Sequence, residues 1–210
     1  MPVLSPNSAD VLLWDSSHNF GSSRVWHSLR VRQAKVDWYK LVWFNGHIPM
    51  YSFIVWMLCR GRLQTKDRLS KWNIISDSKC VFCDACETVE HLFFLCPFSA
   101  TMSRKLSSFC KDFHEPRGWS NELQRMVNHG HGNYFSSKLM KVVFGCAIYL
   151  IWRESNDWIF NNKTKKVDSL ILYIVNLVKS RVCRWRRIPK SKGNWLISVE
   201  WGFPRCIFDR

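Results

Sequence analysis

Apolar residues recur at helical spacing in several parts of the chain. Residues 49–60, PMYSFIVWMLCR, begin with a proline, which suits the first turn of a helix. Phe53, Trp56 and Met57 follow at i, i+3 and i+4, so that they lie on one helical face. The pattern predicts a helix here, and Thr65 is placed to cap a second, shorter one.

Two longer helices are predicted in the second half of the chain. The first spans residues 137–160 and has a broad apolar face, and the second is capped by Asp168 or Ser169 and has one apolar stripe. The apolar positions are Leu139, Val142, Val143, Cys146, Tyr149, Leu150 and Trp152 in the first, and Leu170, Ile171, Ile174, Leu177, Val178, Val182 and Trp185 in the second. The expected fold class is therefore mainly α.

The region before these helices has a different composition. Residues 112–134 contain Pro116, Gly118, Gly130 and Gly132 and few periodic apolar residues. This composition is typical of a linker.

The charge of the chain changes what can be expected of its partners. Of its 210 residues, 31 are Lys or Arg and 16 are Asp or Glu, so the net charge is +15. Such a balance favours a polyanionic partner, usually a nucleic acid and less often a membrane surface. The hydrophobic fraction of 47% is sufficient for a packed core.

The nine cysteines bear on the compartment. The N-terminus has no basic segment followed by an apolar one, so no secretory signal is predicted, and the longest apolar runs are too short to span a bilayer. We therefore expect a nuclear or cytoplasmic protein, neither secreted nor transmembrane, whose cysteines are reduced and partly used as metal ligands.

The stretch CVFCDACETVEHLFFLCP, residues 80–97, contains five candidate ligands for one tetrahedral metal ion. They are Cys80, Cys83, Cys86, His91 and Cys96. Thiolate sulfur and imidazole nitrogen are the ligands that zinc prefers, and four protein ligands would leave no open position. The stretch therefore predicts one structural zinc ion.

Two registers of four ligands are possible. Starting from Cys83, the spacing Cys-x2-Cys-x4-His-x4-Cys is that of retroviral zinc knuckles, which usually have a glycine just before the histidine. Here that position is Glu90, and Thr88 is placed to cap a helix that carries His91. The longer register, Cys80, Cys83, His91 and Cys96, is favoured, and Cys86 remains the alternative ligand.

The sequence resembles the reverse transcriptase zinc-binding domain of plant LINE-type (non-LTR) retrotransposons. The resemblance covers roughly residues 20–110, in the run WYKLVW…IPMYSFIVWMLCRGRLQTKDRLSKW…CVFCDACETVEHLFFLCP, and IYLIWRESNDWIFNNK resembles the segment that follows this domain. It implies that Cys80, Cys83, His91 and Cys96 bind the metal. The gap between Cys83 and His91 is about one residue shorter than usual, which keeps Cys86 under consideration.

The residues that catalysis would need are missing from the sequence. A reverse transcriptase requires paired aspartates for two-metal chemistry, and no Asp-Asp pair occurs in this chain. The acidic residues are scattered, without the grouping of an RNase H carboxylate cluster. We therefore expect no enzymatic activity and no small-molecule substrate.

Basic residues concentrate near the C-terminus, where Trp185 lies within RWRR. Basic side chains neutralise phosphates, and an aromatic ring can stack on an exposed base. The alternative is a solvated helix face whose Trp185 belongs to the core; RWRRIPKSK also fits a nuclear import signal. The predicted nucleic-acid contacts, here called the basic C-terminal cluster, are Lys179, Arg181, Arg184, Trp185, Arg186, Arg187, Lys190 and Lys192.

The combined expectation is a small zinc-stabilised helical domain with a C-terminal helical extension. Its segments are an N-terminal tail (1–19), the zinc-binding domain (20–111), the linker (112–134), the helical basic extension (135–193) and a C-terminal tail (194–210). The expected function is non-catalytic binding of RNA or DNA, with retroelement or host proteins as further partners. The alternative is a zinc-stabilised protein–protein interaction domain with no nucleic-acid role.

Overall fold

The computed structural model describes residues 21–31, 33–110, 115–130 and 134–208. The N-terminal tail expected over residues 1–19 lies outside this range. The chain divides into two compact units, Met1–Val36 and Asp37–Arg210. In the first unit, helix α1 (Ser22–Leu29) follows Gly21 and has no buried residue.

Among the described residues of the second unit, helices are the regular secondary structure, apart from one isolated antiparallel bridge between Lys79 and Cys86. The predicted mainly helical fold class is therefore confirmed. Its helices are α2 (Tyr39–Val42), α3 (Pro49–Cys59), α4 (Lys66–Lys71), a π-helical turn (His91–Leu95), α5 (Pro97–Phe109), α6 (Trp119–Gly130), α7 (Phe135–Asn161), α8 (Val167–Val182) and α9 (Lys192–Trp201), followed by a 3₁₀ turn (Arg205–Phe208).

Helix α7 is the centre of this unit and packs against α3, α5, α6, α8 and α9. It is 27 residues long and has an 18-residue window of mean hydropathy 1.4, so length and composition alone would allow it to cross a membrane. However, 67% of that window is buried within the protein. A helix that is apolar on most sides is expected in such a core position, where other helices surround it.

Helices α3 and α7 approach each other closely at Gly145. A Cβ atom at this position would lie 3.8 Å from Cβ of Tyr51 and 3.9 Å from Cγ2 of Val55, which is ordinary contact. One turn further along α7, the Tyr149 ring stacks on the Tyr51 ring with centroids 4.4 Å apart. The predicted helix over residues 49–60 is thus held directly on the core helix.

The expected linker, residues 112–134, contains helix α6. Met126 of this helix is fully buried, and Trp119 stacks on Phe94 with ring centroids 5.6 Å apart. Trp119, Leu123 and Met126 recur at helical spacing, which the glycines and Pro116 around them obscured in the sequence. The division into five segments stays a prediction, but this one includes a packed helix.

The C-terminal residues also belong to the core. Trp201 is 1% exposed, and its Nε1–H donates a hydrogen bond to the Phe109 carbonyl oxygen at 2.9 Å. Phe203, Ile207 and Phe208 are buried beside it. The expected C-terminal tail therefore folds back onto helix α5.

Candidate metal centre

Residues 78–87 form a tight hairpin that carries the first two ligands. The N–H of Glu87 donates to the Ser78 carbonyl oxygen at 2.8 Å, and the N–H of Cys80 donates to the Ala85 carbonyl oxygen at 2.6 Å. Asp84 closes the turn with a φ of 54°, in the left-handed region that short polar residues tolerate. The Cys-x2-Cys pair thus lies at the tip of the hairpin.

The hairpin also explains the position of Cys86. Neighbouring residues of an extended strand point to opposite sides, and Cys86 pairs across the bridge with Lys79, which is next to Cys80. Cys80 and Cys86 therefore face opposite ways. Cys80 is 3% exposed, whereas Cys86 lies on the surface.

The other two ligands flank the π-helical turn. The hydroxyl of Thr88 accepts a hydrogen bond from the N–H of His91 at 3.0 Å, so the predicted cap is confirmed. The N–H of Cys96 donates to the carbonyl oxygen of His91 at 2.7 Å, an i→i+5 bond that places the two residues one wide turn apart. In an α-helix, five residues would separate their directions by about 140°.

These elements bring Cys80, Cys83, His91 and Cys96 together. Their ligand atoms all lie within 4.8 Å of one another. Sγ of Cys96 lies 3.9 Å from Sγ of Cys80 and 3.6 Å from Sγ of Cys83, and Nε2 of His91 lies 3.0 Å from Sγ of Cys83. A zinc ion bonded to sulfur at 2.3 Å requires sulfur–sulfur distances of about 3.8 Å in a tetrahedron.

The electrostatics of the four groups suit a cation. Burial lowers the pKa of His91, which favours the neutral imidazole that binds metals. Cys96 accepts a hydrogen bond from Cys80, which lowers the pKa of Cys96 and raises that of Cys80. A bound cation would favour the ionised form of all three thiols, because metal ligation requires thiolates.

The donor set and the spacing fit zinc in a structural role. Three thiols and one imidazole are typical zinc ligands, and four protein ligands leave no position for a reacting water. Zinc would join the hairpin to the π-helical turn and to the start of α5. It would act as a cross-link between these segments and would take no part in a reaction.

Glu87 fixes the hairpin to helix α4. Its carboxylate accepts a hydrogen bond from the N–H of Lys66 at 3.1 Å, and its carbonyl oxygen accepts one from the N–H of Asp67 at 3.1 Å. The ammonium group of Lys66 donates to the Lys79 carbonyl oxygen at 2.8 Å. A carboxylate that accepts hydrogen bonds from the N-terminus of a helix about 20 residues away cannot be identified from the residues next to it in the sequence.

On the other side of the hairpin, the Phe82 ring stacks on the Phe98 ring of α5, with centroids 4.1 Å apart and planes 5° from parallel. The hairpin is therefore held on two faces by the protein, in addition to its metal ligands.

The basic C-terminal cluster lies apart from this centre in the sequence, at the end of α8 and beyond, and three of its members have structural contacts. The guanidinium group of Arg186 donates to the carbonyl oxygens of Cys183 at 2.5 Å and Trp185 at 3.0 Å. Arg181 donates hydrogen bonds to the carbonyl oxygens of Gly46 at 3.1 Å and His47 at 2.7 Å. The Trp185 ring packs edge-on against Phe135 at 6.1 Å. Lys179 is half-buried, and Arg184, Arg186, Arg187, Lys190 and Lys192 are exposed.

A closed centre of this kind on a helical frame defines a zinc-binding module. Residues 20–102 match the family described as zinc-binding in reverse transcriptase. The four clustered residues all lie within the matched segment. No curated protein and no solved structure matches the chain. The matched family is a zinc-binding segment and not a catalytic polymerase domain, in agreement with a non-enzymatic module.

Proposed function

We propose that this chain is a non-catalytic module, derived from the polyprotein of a plant LINE-type retrotransposon, that binds RNA or DNA through its basic C-terminal cluster. The observation that carries the proposal is the net charge of +15 together with the exposed arginines and lysines that follow helix α8. A nuclear or cytoplasmic location would give the module access to nucleic acid.

Few acidic groups oppose the cluster along the chain. From Lys163 to Lys192 the sole acidic residue is Asp168, at the start of α8, and its carboxylate pairs with Lys105 of α5 at 2.5 Å. Arg184, Arg186 and Arg187 lie at the opposite end of the helix. Their charge is therefore available to phosphate groups.

Zinc has an indirect part in this function. The four clustered residues are buried or half-buried, and a closed ligand sphere offers nothing to a nucleotide. We propose that the metal holds the hairpin and α5 in place, so that the surrounding helices form a stable surface.

The alternative, a protein–protein interaction domain, is favoured by one specific feature. Helix α9 exposes Trp195, Leu196 and Val199 on its surface, at 40%, 46% and 62% of their accessible area. Clustered apolar side chains of this kind are common at protein interfaces. The partners would then be retroelement or host proteins.

Binding of labelled single-stranded RNA and DNA, followed by fluorescence anisotropy from 50 to 500 mM salt, separates the two functions. We expect affinity to fall steeply with salt, and charge reversal at Arg184, Arg186 and Arg187 to reduce the logarithmic slope by about 2, which is three phosphate contacts at about 0.7 each. Circular dichroism confirms that the variant is folded. No binding at the lowest salt would refute the proposal and favour the protein-interaction alternative.

A further inference from the structure

Lys141, on the core helix α7, is a buried cation in unusual surroundings. It is 4% exposed, and its ammonium nitrogen lies 5.4 Å from the centre of the Phe44 ring. In the part of the chain that the structure describes, no acidic side chain lies within ion-pair distance of it. Buried charges are normally paired, because desolvation of an unpaired one is costly.

The nearest charges increase this cost. Burial lowers the pKa of Lys141, and repulsion from Lys40 and Lys138 lowers it further. Lys40 is exposed on α2, and Lys138 is half-buried one turn before Lys141 on α7. These three residues, here called the lysine triad, concentrate positive charge around the first turns of α7.

The lysine triad lies beside the same loop that the end of α8 contacts. This loop, residues 43–48, carries Phe44, whose ring faces Lys141, and Gly46, whose carbonyl oxygen accepts from Arg181. Trp185 packs between Gly46 and Phe135, and Phe135 lies three residues before Lys138 on α7. The triad and the basic C-terminal cluster therefore flank one loop, although up to about 150 positions separate them in the sequence.

An exposed aromatic ring completes this surface. Trp43, at the start of the loop, is 49% exposed, and its ring meets the ring of His47 edge-on at 5.6 Å. Trp43 follows Lys40 by three residues at the end of α2, so an exposed ring and an exposed cation lie about one helical turn apart. Such a pair suits stacking on a nucleotide base while the lysine contacts the backbone.

From this arrangement we infer that Lys40, Lys138 and Lys141 form a phosphodiester-binding site, on which a nucleic acid strand lies with one base against Trp43 before it reaches the exposed arginines after α8. The site rests on the nucleic-acid function proposed above and adds a second contact region to it. Lys40 and Lys138 are the accessible cations of the site, and a phosphate bound to them would also reduce the repulsion that the buried Lys141 experiences.

The test compares two double variants that remove the same charge. Lys40→Gln with Lys138→Gln removes two triad cations, and Lys163→Gln with Lys166→Gln removes two exposed cations near the other end of α7, about 35 Å away along the helix axis. With a slope of about 0.7 per phosphate contact, the triad variant should bind single-stranded oligonucleotide about 25-fold more weakly at 0.1 M salt, and its slope should fall by about 1.4.

The control pair should remain within about twofold of the wild type, because its charges lie far from the strand and are screened. Lys141→Met keeps the aliphatic stem and should reduce the slope by less than one contact, under about 0.7, because Lys141 is 4% exposed and acts on the phosphate only through its charge. Inorganic phosphate at equal ionic strength should displace no more oligonucleotide than chloride does; specific displacement would assign the triad to free phosphate and overturn the strand contact.

The outcomes separate the two proposals. If the wild type binds, the C-terminal arginine variant weakens binding and the triad variant does not differ from its control, the lysine triad is refuted while the nucleic-acid function stands. If the wild type binds no oligonucleotide at 50 mM salt, both proposals fall.

Discussion

The role of zinc can be tested by removing one ligand and, separately, the cysteine that faces away. Cys80→Ser deletes a thiolate whose sulfur lies 3.9 Å from that of Cys96, whereas Cys86→Ser changes an exposed side chain outside the cluster. The two variants differ by six positions in one hairpin and make the same chemical change. We expect one zinc per chain in the wild type and in Cys86→Ser, and weakened or lost zinc in Cys80→Ser.

The magnitude follows from the hairpin itself. Ordering the backbone of residues 78–87 costs about 1 kcal/mol per residue, or about 10 kcal/mol in all. Structural zinc contributes about 10 to 16 kcal/mol in zinc-finger peptides at pH 7. The two quantities are similar, so we expect the metal to be the main contribution that keeps the hairpin ordered, beside the Glu87 and Phe82 contacts.

Loss of zinc should therefore open the hairpin and spare the helical core. Glu87 would leave the N-terminus of α4, and His91 and Cys96 would lose their partners, whereas α7 carries none of the four ligands and packs mainly on α3, α6 and α8, which carry none either. Native mass spectrometry gives the stoichiometry, and hydrogen–deuterium exchange after chelation should show lost protection over residues 66–96 with α7 still protected. Zinc retained in Cys80→Ser and lost in Cys86→Ser would refute the ligand set, and unchanged exchange over the hairpin would refute its dependence on zinc.

Three further predictions concern the framework around the site, each checked by thermal or urea unfolding. Gly46→Ala should lower the free energy of unfolding by about 1 to 3 kcal/mol, because Gly46 has a φ of 100° and its added Cβ would lie 3.0 Å from the Trp185 ring. Gly61→Ala, at a φ of 58° with open space around it, should lower it by less. Equal losses in the two variants would contradict the Trp185 contact. Trp201→Ala should lower the free energy of unfolding by about 3 to 5 kcal/mol, because Trp201 is 1% exposed. Trp195→Ala should lower it by about 1 kcal/mol or less, because Trp195 is 40% exposed. A small loss in Trp201→Ala would show that the C-terminal residues are not packed. Because burial lowers the pKa of Lys141, the unfolded chain binds more protons than the folded chain in alkaline solution, and wild-type stability should rise with pH toward the ordinary lysine range. Lys141→Met should be more stable than the wild type at pH 7 and should lack this rise. The same pH dependence in both proteins would contradict a lowered pKa at Lys141.

Local sequence patterns predicted the three most periodic helices, because periodicity and capping act over a few residues. The helix at residues 49–60 is present as Pro49–Cys59, and the two long helices are present as Phe135–Asn161 and Val167–Val182. The Thr88 cap was equally local. Helix α6 was missed because glycines and a proline flank its apolar positions, and only packing against Phe94 and α7 shows them as core.

The candidate ligands were evident from the sequence, but the exclusion of Cys86 needed the hairpin. Spacing alone allowed two registers, and the absence of glycine before His91 favoured one of them. The bridge between Lys79 and Cys86 turns Cys86 to the outside, and the π-helical turn aligns His91 with Cys96. Both features depend on backbone hydrogen bonds whose geometry a list of ligand types does not contain.

The sequence by itself determined the zinc-type donor set, the helical class and the strong positive charge, since these depend on residue identity and short-range periodicity. Only the tertiary structure decided which charges lie together. It packs Trp185 against Phe135 and Gly46, engages Arg181 with the loop, and brings Lys40 to Lys138 and Lys141 across about 100 positions of chain. Such groupings arise from contacts between distant segments, because the burial of apolar faces, and not the order of residues, decides which surfaces meet.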